Sequence, residues 1–488
     1  MKYESTRGNF EKVTSSEAIQ LGMVPKGGLF VPERVPEFSE KEIREMEGEK
    51  YREIAHRVLR KFLTNFSGET LGKTIDSSYR ENFEAEEVVP TVKLEEGVHL
   101  IELWHGPTAA FKDVPLQFMP RLLSRAIERE TVVLVATSGD TGKAALEGFK
   151  DVKGTRIIVF YPKESVSRMQ ELQMTTTGGS NTAVVALEGD FDDCQNGVKD
   201  VFADWEFQSE FPQRFSSANS INWGRLAPQI VYWITSYLQL SAKGELEVEE
   251  EVDIVVPTGN FGDILSAYYA RRMGLPVNKL VCASNENRVL ADFFRTGTYD
   301  ANRELKRTSS PAMDILISSN LERFLYHETG RDPERISSWY ESLDKDGRFT
   351  VDGKTKERMD RVIHGEYATE DETLETISRI YEDHGYPLDP HTAVGVKCFE
   401  KYGERVERGK TALIASTANP HKFAPAVMKA LSDREWEGRE FEALDELKEK
   451  TGWPIHRSLR NLKEAEIRHD YTCPRDGIRD IIRKILRN

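Results

Sequence analysis

At 488 residues the chain is too long for one ordinary hydrophobic core, and roughly two to four domains or lobes are expected. Hydrophobic residues at 39% and charged residues at 31% describe a folded, water-soluble protein and exclude a disordered or fibrous one. Lysine and arginine number 67 against 82 acidic residues, a net charge of -15, which disfavours nucleic acid and anionic membranes as partners, so an anionic ligand must be captured locally.

The chain starts with MKYESTRGNFEKVTS, where charges alternate in place of the apolar core of a secretory signal or the arginine-rich amphipathic pattern of a transit peptide. A cytosolic location is expected. Residues 1–90 form an N-terminal domain with helix-like segments such as SEKEIREMEGEKYREIAHRVLRKFL and no comparable run of strand–helix units. From residue 131 short β-branched runs alternate with helix-length segments: TVVLVAT (131–137), TRIIVFYP (155–162), NTAVVALEG (181–189), EVDIVVPT (251–258), KLVCASN (279–285) and KTALIAST (410–417). That alternation predicts an α/β fold around mostly parallel sheets buried on both faces. The uncharged run from Leu226 to Ala242 is short for a membrane span and is interrupted by Pro228, Gln229, Ser236 and Gln239, so it reads as a buried core helix. Residues 321–385 are charged and helix-prone, an insertion in a region running from 91 to 430, with RDPERISSWYESLDKDGRF (331–349) expected to be exposed. Residues 431–488 read as a charged helical segment. The four cysteines, Cys194, Cys282, Cys398 and Cys473, form no C-x-x-C pair and have no histidine spacing for zinc, so no metal site is expected.

In parallel α/β sheets ligands gather where strands end and helices begin. Two such loops stand out. SGDTG (138–142) crowds Ser138, Asp140 and Thr141 between two glycines, an arrangement that helix N-capping alone also explains. In PTGNFGD (257–263), Gly259 and Gly262 let backbone N–H groups approach an anion, and the helix dipole adds to the attraction without any basic side chain. No G-x-x-x-x-G-K-[ST], no G-x-G-x-x-G after a strand and no G-x-S-x-G occurs. Lys112, in HGPTAAFKDVPLQF (105–118), lies among small and apolar residues. Surface solvation is the ordinary fate of such a lysine, whereas burial would lower its pKa and free the amine for a Schiff base. A phosphate cradle, a hydroxyl-rich loop and an apolar lysine together point to pyridoxal phosphate.

HGPTAAFKD, VATSGDTGKAALEGF, FDDCQNGVKDVF, NSINWGRL, VPTGNFGDILSAYYARRMGLP and SPAMDILISSNLERF resemble, in order and spacing, the threonine synthase family. The likeness begins at STRGN, continues through GGLFVPERVP and reaches ASTANPHKFAPAV. It implies a two-lobed, parallel-sheet pyridoxal-phosphate fold of type II (tryptophan synthase β-like) over 91–430, and a carbon–oxygen lyase acting on phosphate that converts O-phospho-L-homoserine and water to L-threonine and phosphate. By that resemblance Lys112 carries the cofactor, Gly259, Asn260, Phe261, Gly262 and Asp263 cup its phosphate, and Thr417 meets the pyridine nitrogen, with Ser416 an adjacent rival. Substrate carboxylate and phosphate are assigned to Ser138, Thr141, Ser167, Arg168, Asn219, Asn222 and Arg225, residues that helix capping and solvation would equally suit. His105 is a further pocket candidate. Pro115 and Gly224 stand where the family has alanine, and Arg288 where it has aspartate. A phospho-lyase giving 2-oxobutyrate, a non-catalytic cofactor-binding paralogue and a serine or threonine dehydratase are the competing readings. Oligomeric state is not legible in the sequence.

Overall fold

Two parallel sheets, each flanked by helices, place their strand ends around a common cleft. The computed structural model describes residues 1–487 except 138, 164–165, 407–409, 433 and 437. The larger sheet has six strands in the order Ile363–Tyr367, Val277–Ser284, Val252–Pro257, Thr411–Ser416, Val98–Glu102 and Thr91–Glu95. All neighbours are parallel except the last pair. The smaller sheet has five parallel strands, Tyr471–Pro474, Thr182–Glu188, Thr155–Pro162, Thr131–Ala136 and Arg214–Ser217. Val252–Pro257 and Thr131–Ala136 are buried at every position, as strands covered on both faces must be, which is why they read as unbroken apolar runs.

The N-terminal region adds a small antiparallel sheet of Lys2–Ser5, Val13–Thr14 and Phe30–Pro32, followed by the helices Tyr51–Phe62 and Gly68–Tyr79. In the first helix Tyr51, Ile54, Ala55, Val58, Leu59 and Phe62 recur at helical spacing and form the buried face. That face joins the same core as the helix Trp223–Ala242, where the Trp223 ring meets Phe62 and Tyr269 at 5.5 and 5.3 Å between centroids. Trp223–Ala242 is the uncharged run expected as a core helix, and nearly every position in it is buried. No helix among the described residues is long and apolar enough to cross a membrane.

Two expectations fail. Residues 321–385 are not an insertion set apart from the fold: Leu321–Glu328 is a fully buried helix, Ile363–Tyr367 is a strand of the larger sheet, and the helix Pro333–Asp346, in the stretch expected to be exposed, buries Ile336, Trp339, Tyr340 and Leu343. Arg323 shows why its charge misled, since the buried guanidinium donates to Phe30 O at 2.9 Å and to Asn320 Oδ1 at 2.6 Å. The C-terminal segment is not purely helical either. Tyr471–Pro474 extends the smaller sheet before the helix Ile478–Arg487 packs over it.

Candidate active site

Lys112 ends the turn that starts the helix Asp113–Ala126. The turn is fixed by Asp113, whose buried carboxyl accepts from Thr108 N at 2.8 Å and from Thr108 Oγ1 at 2.7 Å. A short antiparallel contact between Ala110 and Ala418, with Phe111 N donating to Thr417 O at 2.8 Å, joins it to the end of the strand Thr411–Ser416. The Lys112 side chain is only 12% exposed and its Nζ lies 4.7 Å from the Phe111 ring centroid. Burial pulls its pKa below the ordinary lysine range.

The cleft around it, about 700 Å³ including its open mouth, is lined by Lys112, Thr141, Arg225, Gly259, Asn260, Phe261, Gly262, Asp263 and Thr417 among the residues expected from sequence. The loop after Val252–Pro257 has the geometry of an anion cradle. Among the described residues, the backbone N–H groups of Gly259, Asn260, Phe261, Gly262 and Asp263 find no partner in the protein, and they precede or open the helix Gly262–Arg272. Phe261 holds a left-handed conformation, φ 61°, to make that turn. Gly259 is required by proximity, because a Cβ there would come within 2.5 Å of Ala312 O. Burial pushes the Asp263 carboxyl up to about 7 despite its hydrogen bond from Tyr232, and its Oδ2 has no partner in the protein.

Arg225 faces the same space from the first turn of Trp223–Ala242. One nitrogen, Nη1, is anchored on Ala218 O at 3.0 Å, while Nε is buried without a partner. Burial draws its pKa down to about 10, so it stays charged at neutral pH. A desolvated guanidinium with a free donor at a cleft wall is a site for an anion.

The two hydroxyls at the end of the strand Thr411–Ser416 are placed differently. Ser416 Oγ accepts from Trp104 Nε1 at 3.1 Å and from Thr392 Oγ1 at 3.3 Å, whereas Thr417 lines the cleft. Ser138 lies outside the described residues. Ser167, Arg168, Asn219 and Asn222 are not among the cleft-lining residues. Ser167 caps the helix Arg168–Thr175, accepting from Gln170 N at 3.2 Å, and Arg168 pairs with Glu171 on the surface. Asn222 is buried and committed to structure: its amide donates to Ile19 O and Ser217 O, both at 3.0 Å, and accepts from Gly224 N at 2.8 Å. Asn219 belongs to the turn before it, accepting from Asn222 N at 3.0 Å. His105 stacks on Trp104 and bonds to Glu102 at 2.7 Å, away from the cleft.

Reading the sequence passed over Lys422, Gln229 and His391. Gln229 and His391 line the cleft, with His391 Nε2 accepting from Ala312 N at 3.2 Å while Nδ1 faces Asp389 at 2.8 Å. Lys422 is wholly buried behind Asp140. Only its place in the motif ANPHKF marked it, and a motif does not say where a side chain goes.

Residues 2–79 match the family described as Threonine synthase N terminus, residues 86–417 Pyridoxal-phosphate dependent enzyme, and residues 392–458 Threonine synthase, C-terminal. Threonine synthase of Schizosaccharomyces pombe is 39% identical over 88% of this chain and 90% of its own. Threonine synthase-like 1 of Homo sapiens is 40% identical over 86% of this chain, which spans 58% of that longer relative. The crystal structure of pyridoxal-phosphate-bound threonine synthase from Brucella melitensis superposes with a TM-score of 0.89 at 34% identity, covering 100% of both chains. The chain belongs to the threonine synthase family of pyridoxal-phosphate-dependent enzymes.

The residues present fit that cofactor. A buried amine, an unpaired run of backbone donors for a phosphate and an unbonded buried carboxyl oxygen surround one cleft, and Thr417 offers a hydroxyl across it. The three departures from the family pattern are absorbed locally. Pro115 sits in the first turn of its helix, where the missing N–H had no partner to lose. Gly224 packs where a Cβ would press Met119 and Ile19 at 3.0 and 3.2 Å. Arg288 pairs with Asp292 at 3.4 Å and lies over the Tyr367 ring, so its charge is answered outside the cleft.

Proposed function

We propose that the chain converts O-phospho-L-homoserine and water to L-threonine and inorganic phosphate. The observation that carries this reading is the buried Lys112 amine sharing one cleft with an unpaired anion cradle and a second, separate cation, Arg225. One phosphate needs the cradle and a substrate bearing its own anionic groups needs the arginine; the relatives' printed name, threonine synthase, supports threonine as the product.

In this reading the N–H groups of Gly259 to Asp263 hold the cofactor phosphate, helped by the N-terminal end of the helix dipole. Thr417 meets the ring nitrogen with a neutral hydroxyl. When bound, pyridoxal phosphate supplies the electron-withdrawing system that makes the Cα and Cβ protons of the substrate acidic. Lys112 takes and returns the protons at Cα, Cβ and Cγ. Burial suits it to this, because it lowers the pKa of the amine and so eases the loss of the proton that a base must shed. Arg225 and Thr141, at the first turn of the helix Asp140–Phe149, hold the substrate anions on the opposite wall. The buried walls keep bulk water from Cβ until the step that needs it. A cytosolic location accords with four cysteines that are all buried and free.

The test is to incubate the purified holoenzyme with O-phospho-L-homoserine and quantify phosphate, threonine and 2-oxobutyrate in one sample. Equimolar threonine and phosphate is the expected result. Phosphate with 2-oxobutyrate instead would replace the synthase reading with a lyase on the same site, and no phosphate release would remove this substrate.

A further inference from the structure

The Asp140 carboxylate lies between two lysines held at different distances. Lys422 Nζ approaches Oδ1 to 3.0 Å and also donates to Thr108 O at 2.9 Å, and its side chain has no exposure to solvent at all. Gln170 Nε2 adds a second donor to Oδ1 at 3.1 Å. Lys112 Nζ stays 3.8 Å from Oδ2, beyond hydrogen-bond reach. The close approach of Gln170 depends on Gly139, whose φ of 150° and missing Cβ leave the amide no obstacle. The arrangement is held by backbone, because Asn419 N donates to Ala109 O at 3.1 Å and Phe111 N to Thr417 O at 2.8 Å, zipping the segment before Lys422 against the one before Lys112.

A buried carboxylate with no close cation is costly. Were Lys112 its sole cation, the pair would hold that amine as an ammonium, which has no lone pair for bonding to carbon or for taking a proton. We propose that Lys422 is a positioning residue that permanently occupies Asp140 as its counter-ion, leaving the Lys112 amine free to lose its proton and react. The inference rests on Lys112 being the amine that takes pyridoxal phosphate, and is independent of which substrate follows.

The groups facing Lys112 come from several elements. They are Asp140 on Asp140–Phe149, Lys422 on the turn Pro420–Phe423, Arg225 on Trp223–Ala242, Asp263 on Gly262–Arg272 and Asp113 on its own helix, with His391 lining the same cleft. Burial is the first cause of the depressed Lys112 pKa. Asp140 opposes it, and Lys422 and Arg225 push the same way as burial. Asp140 itself is held below the carboxylate range: burial would raise it, but Lys422 and Lys112 together outweigh that.

Capture of pyridoxal phosphate joins Lys112 Nζ to the aldehyde carbon and expels the aldehyde oxygen as water. The step needs the amine lone pair, so its pH dependence reports the Lys112 proton. The full-length chain, freed of cofactor, is mixed with pyridoxal phosphate across pH 6 to 10, reduced with borohydride, and the product counted by mass. Lys422→Met is expected to move the midpoint of capture alkaline by about one unit or more, slowing capture at pH 7 about tenfold. Asp140→Asn should move it the opposite way, the double variant should return close to the native value, and Lys422→Arg should stay within about half a unit. A midpoint unmoved in either single variant, shifts of the same sign in both, or Lys422→Arg behaving like Lys422→Met would each overturn the proposal. If Lys422→Met fails to fold, Asp140→Asn and the double variant decide by the same signs.

Discussion

Lys112 and Asp263 share one cleft, and burial drives both toward the uncharged form, which for the lysine means losing a proton and for the aspartate keeping one. Lys112→Ala should leave a folded protein that retains no covalent cofactor after reduction and turns over several orders of magnitude more slowly. Near-normal turnover in that variant would remove Lys112 from its assigned role. Asp263 makes a different prediction, about stability. Its folded pKa of about 7 lies above the unfolded value, so its contribution is full below about pH 4 and is lost as pH rises through 7. Between pH 5 and pH 8 this amounts to roughly 2–3 kcal/mol for the cofactor-free protein. Asp113, raised to about 6 by burial, acts in the same direction but is present in both proteins compared. Urea unfolding of Asp263→Asn at the two pH values should therefore show a smaller loss than the native chain, and parallel losses would mean that Asp263 is ionised when folded.

At the scale of elements, the loop from Thr258 to Phe261 shows what a strand end must provide. Its carbonyl at Gly259 accepts from Ser318 Oγ at 2.8 Å, and the Pro311–Met313 turn that crowds Gly259 is itself pinned by His391. The turn has little room to retreat, so Gly259→Ala should displace the cradle, weakening pyridoxal phosphate binding about tenfold or more at a stability cost of about 1–3 kcal/mol. A cofactor titration with unchanged affinity would show that the cradle tolerates the shift. This loop was legible in sequence because glycines after an apolar strand carry a local signal. Long β-branched strands were legible for the same reason. Val98–Glu102 hid behind His99 and Glu102, Arg214–Ser217 is too polar and short, and Ile363–Tyr367 carries charge that Arg295 answers from the neighbouring helix Val289–Thr296. Among the expected substrate residues, Ser167 and Asn222 were helix caps, for which local pattern offers the same residue types as an anion site. Lys422 and His391 reach the cleft region only by tertiary placement, for which a sequence window holds no sign.

At the scale of the whole molecule, the end of the chain completes the smaller sheet, and its charges conceal how much it buries. The helix Ile478–Arg487 shows five charged residues, and Arg479 and Arg483 pair with Asp204 and Glu210. Exposed pairs of this kind contribute about 0–1 kcal/mol each. Ile478, Ile481 and Ile482 lie beneath them in one core with Cys194, Val198, Val201 and Phe207, and Ile478 presses so closely on Gly197 that a Cβ there would have no room. Burial of three isoleucines is worth about 5–9 kcal/mol, comparable with the whole stability of many domains, and removing Tyr471–Pro474 would also leave the strand Thr182–Glu188 as an open edge. A chain ending at residue 470 is therefore expected to lose most of its stability and to aggregate, while Arg483→Ala should shift Tm by a degree or two at most. Thermal unfolding of the two proteins side by side decides between burial and ion pairing: a truncated chain that melts with the native one would mean that the smaller sheet stands without its last strand, and a large loss in Arg483→Ala would mean that the surface charges hold the end in place.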